Sequence, residues 1–381
     1  MKGALIVEPD GKFIDGLIKG GGGDVKKCFQ CATCSSVCAL STEDRTFPRR
    51  QIARAQWGMK DQLVADPAVW LCHNCGDCTA RCPRGARPGD VIAAVRREVI
   101  KGVAFPRVMG NILANPAGVW VLLVLSLLVL TPVAVLPVRP DASHSLEFAY
   151  LFPQARLEIL FFTVCGLVTL ALAVGAVRLV RALRAAGADS PLLPSLFPTL
   201  VEIVTHRRFG LCGEHRERLA GHLLVLVGFV GLAGVGTVVG IGSLAGLMHT
   251  PLPLLHPLKI FANIFAAVIL VGAVTLLAGR VADSELRRSS TYFDWFFPLT
   301  LAMVVITGIL SELLRLRQSE EWMFTIYFVH LVLILALLLS APYSKFAHFL
   351  YRTIAMAATW QEREKSTPDR LLPAAGAAHD S

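Results

Sequence analysis

Six long apolar runs follow Pro106, and they limit what this chain can fold into more than any other feature of its sequence. They cover residues 117–138, 157–180, 219–241, 257–278, 293–314 and 322–343. A helix needs about 20 apolar residues to cross a bilayer core of about 30 Å. One such run could be a buried helix of a soluble core, but six runs separated by short polar loops predict a bundle of six membrane helices.

The composition agrees with a membrane domain. Hydrophobic residue types make up 54% of the chain and charged residues only 17%, whereas a soluble globular protein has roughly a quarter charged residues. A chain of this composition cannot cover itself with polar surface, so much of it must face lipid. The same numbers exclude collagen, a disordered chain and a small secreted domain held by disulfides.

Positive charge is concentrated in alternate loops of the apolar region. Basic residues are frequent between the second and third runs, between the fourth and fifth, and after the sixth, and they are sparse elsewhere. Because cytoplasmic loops carry the excess of Lys and Arg, this pattern predicts an inner-membrane protein with both termini in the cytoplasm. The net charge of +9 is then mainly a signal of orientation, and nucleic-acid binding is the weaker interpretation of it.

Eight of the ten cysteines form two short runs before the first apolar run. They read Cys28-x2-Cys31-x2-Cys34-x3-Cys38 and Cys72-x2-Cys75-x2-Cys78-x3-Cys82-Pro83. Three thiolates at this spacing can bind one [4Fe–4S] cubane, and in two-cluster ferredoxins the fourth binds the other cluster. The pattern predicts two clusters, one held by Cys28, Cys31, Cys34 and Cys82, the other by Cys72, Cys75, Cys78 and Cys38.

Zinc binding and disulfide formation account for the cysteines less well. Zinc would use two C-x2-C pairs, so four cysteines in each run are more than it needs. Disulfides need an oxidising compartment, whereas the loop charges place this segment in the cytoplasm. The remaining Cys165 and Cys212 are isolated, and we interpret them as a small buried residue and an ordinary loop thiol.

The segments beside the cysteine runs have helical periodicity. Apolar residues recur at helical spacing over residues 49–66 and 87–100, and little strand signal lies between them. The sequence therefore predicts an all-α fold, in which an α-helical ferredoxin domain takes the place of the compact βαββαβ type.

These motifs resemble a known family. The stretches KKCFQCATCSSVC, FPRRQIARAQWGMKDQ and WLCHNCGDCTARCPRGARPGDV resemble the C subunit of heterodisulfide reductase. The stretch HLVLILALLLSAPYSKFAHFLYRT resembles the cytochrome b subunits of heterodisulfide and nitrate reductases. The fusion of the two, over residues 11–356, is similar to the C subunits of quinone-interacting membrane-bound oxidoreductase (Qmo) complexes.

The resemblance implies cofactors and partners that the composition does not. The cofactors are haem b and menaquinone. The partners are the Qmo A and B subunits, which carry flavin and iron–sulfur clusters and look like heterodisulfide reductase A proteins. Through them the chain would connect to adenylylsulfate reductase of dissimilatory sulfur metabolism.

Histidines in the apolar region are the candidate haem ligands, because a polar ring within lipid is costly and marks a functional candidate. His222 lies just inside the third run and His348 just after the sixth. They fall at similar depths near the cytoplasmic face on helices of opposite direction, so we predict that they bind one haem. The related cytochromes carry a second histidine on the helix of His222, and that position is lost here.

An outer haem is predicted from the remaining membrane histidines. His330, deeper in the sixth run, falls at the position of the second histidine that the related cytochromes carry on their last helix. Its predicted partner is His256, with His249 as second choice. Lys259 is a candidate donor to a quinone carbonyl or a haem propionate. Alternatively, its side chain extends to the membrane surface and places its ammonium group among the lipid headgroups.

We expect an N-terminal segment (1–26), a helical two-cluster domain (27–105), a six-span membrane haem b domain (106–350) and a partly disordered cytoplasmic tail (351–381). His73 stands between cluster ligands and could tune the second cluster, while His206 and His215 are expected on the surface.

Quinone, haem and cubanes would form a series of one-electron carriers, and no segment supplies a nucleotide fingerprint or a hydrolytic triad. We expect an electron-transfer subunit that links menaquinol to cytoplasmic partners. The alternatives are a membrane subunit of a heterodisulfide reductase-like or Dsr-type complex and a haem-free membrane-anchored docking module for clusters. A transporter would need paired acids or broken helices at mid-membrane.

Overall fold

A computed structural model gives the fold and describes residues 8–43, 45–134, 147–205 and 217–365. Every regular element in these residues is a helix, which confirms the all-α prediction. The chain divides into two compact units. The first comprises Met1–Val103, Val174–Gly213 and His348–Ser381, and the second comprises Ala104–Ala173 and Glu214–Ala347. This division differs from the predicted domains, because two later segments join the cysteine-rich part.

The helices before residue 104 are short, except for the last. They are α1 Gly11–Leu17, α2 Thr33–Ser36, α3 Arg49–Gln56, α4 Lys60–Val64, α5 Ala68–Leu71, α6 Asp77–Ala80 and α7 Pro88–Val103. The small helices α1, α3, α4, α5 and α6 all contact α7. The core between α7 and the small helices contains fully buried apolar side chains: Leu17, Ile52, Leu63, Trp70 and Ile92. Burial of these side chains holds the cysteine runs in place.

The helix expected over residues 49–66 forms in two parts. α3 and α4 are separated at Gly58, which has a left-handed backbone with φ 66°. The Gly58 carbonyl accepts a hydrogen bond from the Asp10 backbone N–H at 3.1 Å. A side chain at position 58 would lie 3.0 Å from the Asp10 nitrogen. This turn therefore needs glycine, both for its backbone angle and for the close approach of the N-terminal segment.

Longer helices follow residue 104. They are α8 Arg107–Leu113, α9 Gly118–Leu130, α10 Gln154–Ala185, α11 Leu192–Thr205, α12 Glu217–Leu244, α13 Pro257–Ala282, α14 Ser284–Ser289, α15 Tyr292–Leu316, α16 Glu320–Ser340, α17 Lys345–Ala358 and α18 Trp360–Lys365. In the described part of the chain, five helices are long and apolar enough to cross a membrane: Gln154–Ala185, Leu219–Leu244, Pro257–Ala282, Asp294–Leu316 and Glu320–Ala358. These five indicate a multi-pass membrane protein.

The first predicted span differs from the other five. α9 has 13 residues and continues only as a 3₁₀ turn to Val133. Arg107–Leu113 and Gly118–Val133 are bent by 119° and would count as a sixth span only when taken together. Pro116 lies in the bend, where its missing N–H and its ring prevent a continuous helix. Residues 135–138 of the predicted run lie outside the described residues.

The last helical segment extends further than predicted. α16 and α17 are joined by the 3₁₀ turn Ala341–Tyr343, and Glu320–Ala358 forms one apolar stretch of 39 residues. Tyr351 is fully buried, and Arg363 of α18 is nearly so. Residues 351–365 are therefore folded, and partial disorder of the tail stays a prediction. The rest of the predicted tail lies outside the described residues.

α12 and α13 approach each other closely at glycines. A Cβ at Gly228 would lie 2.9 Å from the Phe265 carbonyl oxygen, and one at Gly272 would lie 2.8 Å from the Val225 nitrogen. Small residues let helix backbones come together in lipid, where packing takes the place of the hydrophobic effect. This contact makes the two helices a tight pair within the second unit.

Candidate metal centres

The two cysteine runs share one backbone conformation. Gln30 and Ala32 of the first run have φ 59° and 70°, and Asn74 and Gly76, at the equivalent positions of the second, have φ 54° and 97°. A one-turn helix follows in each case, α2 and α6. Left-handed residues other than glycine cost free energy, and such strain indicates a functional constraint on the loop.

Backbone N–H groups of these loops donate to cysteine sulfurs. The distances are 3.3–3.5 Å, from Gln30 to Cys28, from Asn74 to Cys72 and from Ala86 to Cys82. Hydrogen bonds to sulfur stabilise the thiolate, and in iron–sulfur proteins they contribute to the reduction potential. The left-handed residues therefore turn the amides toward the ligand atoms.

The eight cysteines line two cavities in sets of four. Cys28, Cys31, Cys34 and Cys82 (the Cys28 set) line one cavity. Cys38, Cys72, Cys75 and Cys78 (the Cys72 set) line the other, which has a volume of about 1510 Å³. Each set joins three cysteines of one run to the last cysteine of the other. These are the sets of the sequence-based prediction, whose assignment to two clusters stays a prediction.

Three of the cysteines in these cavities are poor thiolates on their own, whereas a hydrogen bond with Thr33 lowers the pKa of the exposed Cys31. Burial raises the pKa of Cys34, raises that of Cys38 to about 12 and raises that of Cys78, and charges on neighbouring cysteines add to the rise. A bound cation reverses this, because it stabilises deprotonated sulfur ligands.

The donor sets fit iron–sulfur clusters. Each cavity offers four sulfurs, and both sets receive amide hydrogen bonds. Over the described ranges, no group of three or more His, Cys, Asp or Glu side chains could hold a single metal ion. A cubane differs from a single ion in that its ligands bind four separate iron atoms at its corners.

Two arginines outside the sequence-predicted site hold the second cysteine run. Arg96 Nη2 and Arg352 Nη1 both donate to the Cys72 carbonyl oxygen, at 2.9 and 3.0 Å. Arg96 also donates to the Val69 carbonyl at 2.8 Å, and Arg352 donates to the Trp70 carbonyl at 3.1 Å. They come from α7 and α17, at 24 and 280 residues from Cys72. No local motif could have revealed the second arginine.

Arg352 also fixes the orientation of His73. Its Nη2 lies 3.1 Å from His73 Nδ1. Because a guanidinium only donates, Nδ1 is the acceptor, and the proton of the neutral ring is on Nε2. The imidazole is thus held beside the Cys72 set in one tautomer. Its predicted tuning role stays a prediction.

His348 lies against the same cysteine run. Its ring stacks on the Trp70 indole with 5.9 Å between centroids and 29° between planes. Trp70 is fully buried and stands two residues before Cys72, and Tyr351 packs on its edge at 5.5 Å. One aromatic side chain therefore joins a candidate haem ligand to a candidate cluster ligand. His222, the predicted partner of His348, is exposed on α12 and belongs to the second unit.

The surroundings of His330 fit a haem ligand. Thr307 Oγ1 lies 3.1 Å from His330 Nδ1, and the same hydroxyl donates to the Met303 carbonyl at 2.7 Å. Since the hydroxyl proton is used in that bond, the oxygen accepts from Nδ1–H. Nε2 of the neutral ring then carries the lone pair that binds iron. An oriented Nδ1–H is a usual feature of metal-ligating histidines.

His256 has a structural contact at the start of α13, and its predicted role as a haem ligand stays a prediction. It caps the N-terminus of α13, and its Nδ1 accepts from the Leu258 backbone N–H at 3.3 Å. The proton of the neutral ring is then on Nε2, so in this contact neither nitrogen offers a lone pair to iron. His249, the second choice, is exposed.

The remaining candidate residues are peripheral or not described. Cys165 is exposed on α10, in contrast to its predicted burial. Cys212, His206 and His215 lie outside the described residues.

Lys259 forms an ion pair. Its Nζ lies 2.9 Å from Glu312 Oε2, which joins α13 to α15, and the two side chains are 25% and 13% exposed. Glu312 Oε1 is buried and has no hydrogen-bond partner among the described residues. Glu312 lies near the end of the fifth apolar run, 293–314. A basic and an acidic residue in adjacent apolar runs are a signal that could have paired them.

Comparison with known proteins identifies the cysteine-rich part. Residues 24–86 match the family model of a 4Fe-4S dicluster domain. The chain is 36% identical over 92 residues to the C subunit of the H(2):CoB-CoM heterodisulfide,ferredoxin reductase of Methanothermobacter thermautotrophicus, which is 24% of this chain and 50% of that protein. It is also 37% identical over 71 residues to a protein of Archaeoglobus profundus that is named as similar to the heterodisulfide reductase C subunit. This match covers 18% of this chain and 38% of that protein.

The chain thus contains a two-cluster iron–sulfur domain of the type found in heterodisulfide reductase C subunits, and it spans about half the length of the first of these relatives. A further relative covers most of the chain. The citrate utilization protein B of Escherichia coli is 28% identical over 360 residues, which is 86% of this chain and 88% of that protein. No solved structure matches the chain.

Proposed function

We propose that this protein is a membrane electron-transfer subunit that exchanges electrons between menaquinone or menaquinol and cytoplasmic partners, through haem b and two [4Fe–4S] clusters. The observation that carries the proposal is the stack of His348 on Trp70, two residues from Cys72. It brings a candidate haem ligand on an apolar helix to the edge of a cluster site. A series of one-electron centres conducts electrons.

The cluster ligands are the two cysteine sets. Cys28, Cys31, Cys34 and Cys82 hold one cluster, and Cys72, Cys75, Cys78 and Cys38 hold the other. Support comes from the shared cavities and the match to a dicluster domain. Each cluster, when bound, stores a single electron. The protein orients the ligands and supplies the amide and guanidinium hydrogen bonds.

For haem b, His222 and His348 are the proposed ligands on the cytoplasmic side, and His330 is the proposed ligand of an outer haem. The Thr307 hydroxyl supports His330, because it leaves Nε2 free to bind iron. His256, the predicted partner of His330, accepts the Leu258 N–H at its Nδ1, so binding the outer haem requires its ring to leave this cap.

Lys259 and Glu312 are the proposed quinone-site residues. Oxidation of a quinol releases two protons, and these need an acceptor within reach of the ring hydroxyls. Glu312 Oε1 can accept one, because it is buried and has no partner among the described residues. Lys259 holds the carboxylate in place at 2.9 Å and can donate to a quinone oxygen.

The soluble partners are proposed to carry flavin and iron–sulfur clusters, as the Qmo A and B subunits do, and to lead to adenylylsulfate reductase. The chain lies in the inner membrane with both termini in the cytoplasm. Similarity to proteins named as heterodisulfide reductase C subunits supports the cluster part of this proposal. The nearly full-length similarity to citrate utilization protein B favours a second candidate, the same membrane and cluster parts serving a partner in citrate utilization.

The test is haem and iron content per chain, followed by reduction with menadiol. We expect about eight iron atoms in clusters, sharp haem b bands on reduction, and loss of the cytoplasmic-side haem in His348→Ala with the clusters retained. Clusters without haem bands would reject this function in favour of a haem-free docking module. Affinity purification of the native complex then distinguishes the two classes of partner.

A further inference from the structure

The Cys72 carbonyl oxygen accepts hydrogen bonds from two guanidinium groups. Arg96 approaches from α7 at 2.9 Å, and Arg352 approaches from α17 at 3.0 Å. The same two side chains bind the carbonyls of Val69 and Trp70. Two fixed positive charges therefore bracket the backbone of one cluster ligand, on the stretch that leads from Trp70 to the cluster site.

The cavity of the Cys72 set is lined by carboxylates, among them Asp77 between two of its cysteines, whereas guanidinium groups outnumber carboxylates around Arg352. The charged groups that act on Arg352 are Arg96, Arg363, Cys72 and Glu202. Glu202 is already held by Arg363 through two contacts of 3.0 and 3.1 Å. Arg96 and Arg352 both contact the Cys72 backbone, so negative charge on the Cys72 set lies close to two guanidinium groups.

We propose that Arg96 and Arg352 are positioning residues that raise the reduction potential of the cluster in the Cys72 set above that of the cluster in the Cys28 set. The proposal rests on the cluster part of the proposed function and requires neither haem nor quinone. Its consequence is an order of filling: the first electron to enter the cluster domain rests on the Cys72 set.

The physical reason is the charge that reduction adds. A [4Fe–4S]²⁺ core takes one electron from a donor and becomes [4Fe–4S]⁺, so the cluster and its four thiolates gain one negative charge. Fixed positive charges nearby stabilise the reduced form more than the oxidised form. Inside the protein this attraction is weakly screened. An arginine remains charged at all working pH values, so the effect persists across them.

The Cys28 set has a different arrangement, in which Arg49 lines the cavity and its charge acts on Cys31. Cys31 is exposed, and the nearby Arg84 is an exposed side chain that lies over the Phe29 ring at 4.3 Å. Water and salt screen an exposed charge. Arg84 is therefore a matched control: it is an arginine beside a cluster site whose removal is expected to change the potential little.

The experiment is a redox titration of the purified protein with dithionite, followed by electron paramagnetic resonance of the reduced clusters. Arg352→Gln is expected to make one of the two clusters about tenfold harder to reduce, which is about 59 mV for one electron. The other cluster is expected to keep its potential. Arg352→Lys keeps the positive charge, so its cluster potentials are expected to stay close to those of the parent protein. Arg84→Gln is expected to shift the potential of neither cluster by a comparable amount.

Each outcome separates charge from geometry. If Arg352→Gln loses one cluster while Arg352→Lys retains it, charge compensation is also supported. The proposal is overturned if Arg352→Gln keeps both potentials, or if the Gln and Lys variants change alike, since that pattern indicates a purely structural role. Absence of clusters from the parent protein would instead contradict the proposed function, and absence of haem alone would leave this test intact.

Discussion

Lys259 Nζ lies 2.9 Å from Glu312 Oε2, in a part of the chain whose helices are apolar enough to cross a membrane. Neither residue is near the cluster sites in sequence, and together they place a charged pair between α13 and α15. Ionisable residues in such helices face the bundle interior and mark pathways for protons, ions or substrates. The pair is therefore the first place to test the quinone proposal.

Replacing one member of this pair should destabilise the protein more than replacing both. We expect Lys259→Met or Glu312→Leu to cost about 2 kcal/mol, below the range for a fully buried pair because Lys259 is 25% exposed. The double variant should recover part of this loss, since no unpaired charge remains. Thermal unfolding in detergent measures the effect. Equal losses that add in the double variant would show that the two side chains do not interact.

Glu312→Gln keeps the size of the side chain but removes the carboxylate that could accept a proton. We expect menadiol-driven reduction of the protein to slow by about 100-fold, while reduction by dithionite is unchanged. Stopped-flow absorbance measures both rates. If menadiol reduces the variant as fast as the parent, Glu312 is not the proton acceptor.

Trp70 is expected to connect His348 to the cluster domain. Trp70→Leu should slow electron exchange between haem and clusters, because it removes the aromatic ring on which His348 stacks. It should also cost about 3 kcal/mol of stability, since Trp70 is fully buried. Flash-induced reduction kinetics measure the exchange, after absorbance has confirmed that both cofactors are present.

Trp70→Phe is the matched control. It keeps a ring at this position and removes an indole N–H that has no acceptor among the described residues. We expect faster exchange than in the Leu variant. Equal rates in the parent, Phe and Leu proteins would contradict the role of Trp70.

The cysteine loops offer a reciprocal pair of substitutions. Ala32 and Gly76 occupy equivalent positions with φ 70° and 97°. Ala32→Gly should stabilise its loop and Gly76→Ala should destabilise its loop, each by about 1 kcal/mol, because a Cβ is strained in this region. Iron release to a chelator, measured over time, should slow in the first variant and accelerate in the second. Changes of the same sign in both would refute the shared conformation.

The α12–α13 contact can be tested by adding one methyl group. In Gly228→Ala the new Cβ would lie 2.9 Å from the Phe265 carbonyl oxygen, and we expect a loss of about 1–3 kcal/mol from this overpacking. Gly234→Ala, on the same helix, is the control, because nothing lies within 4 Å of its Cβ position. Thermal unfolding compares them, and similar midpoints for both variants would mean that the helices do not pack at Gly228.

The spacing of residues along the sequence predicted those features that depend on residues close together in the chain. The two cysteine motifs pointed to the dicluster domain because cluster ligation constrains residues within a dozen positions, and residues 24–86 match such a domain. The apolar runs likewise marked five long helices. Gly58 interrupts a helix that periodicity alone extends, since an apolar pattern does not record backbone angles.

Long-range contacts were not predictable from spacing. Arg352 counted only as a positive charge after the sixth run, yet it reaches a carbonyl 280 residues earlier in the chain. His256 was a reasonable ligand by depth, but its Nδ1 is used to cap a helix. In both cases the decisive fact is which atom a side chain contacts, and one sequence does not contain that information.

The separation between Cys72 and Arg352 has a consequence for biogenesis. The ribosome completes the cysteine runs long before it reaches α17, so the cysteine-rich segment emerges from the ribosome while its second arginine has not yet been synthesised. Arg352 can reach the Cys72 carbonyl only after every apolar helix up to α16 has been made. The Cys72 site can therefore form with both arginines only after the chain has been translated through α17. A product truncated before that helix has the cysteines of this site but lacks Arg352.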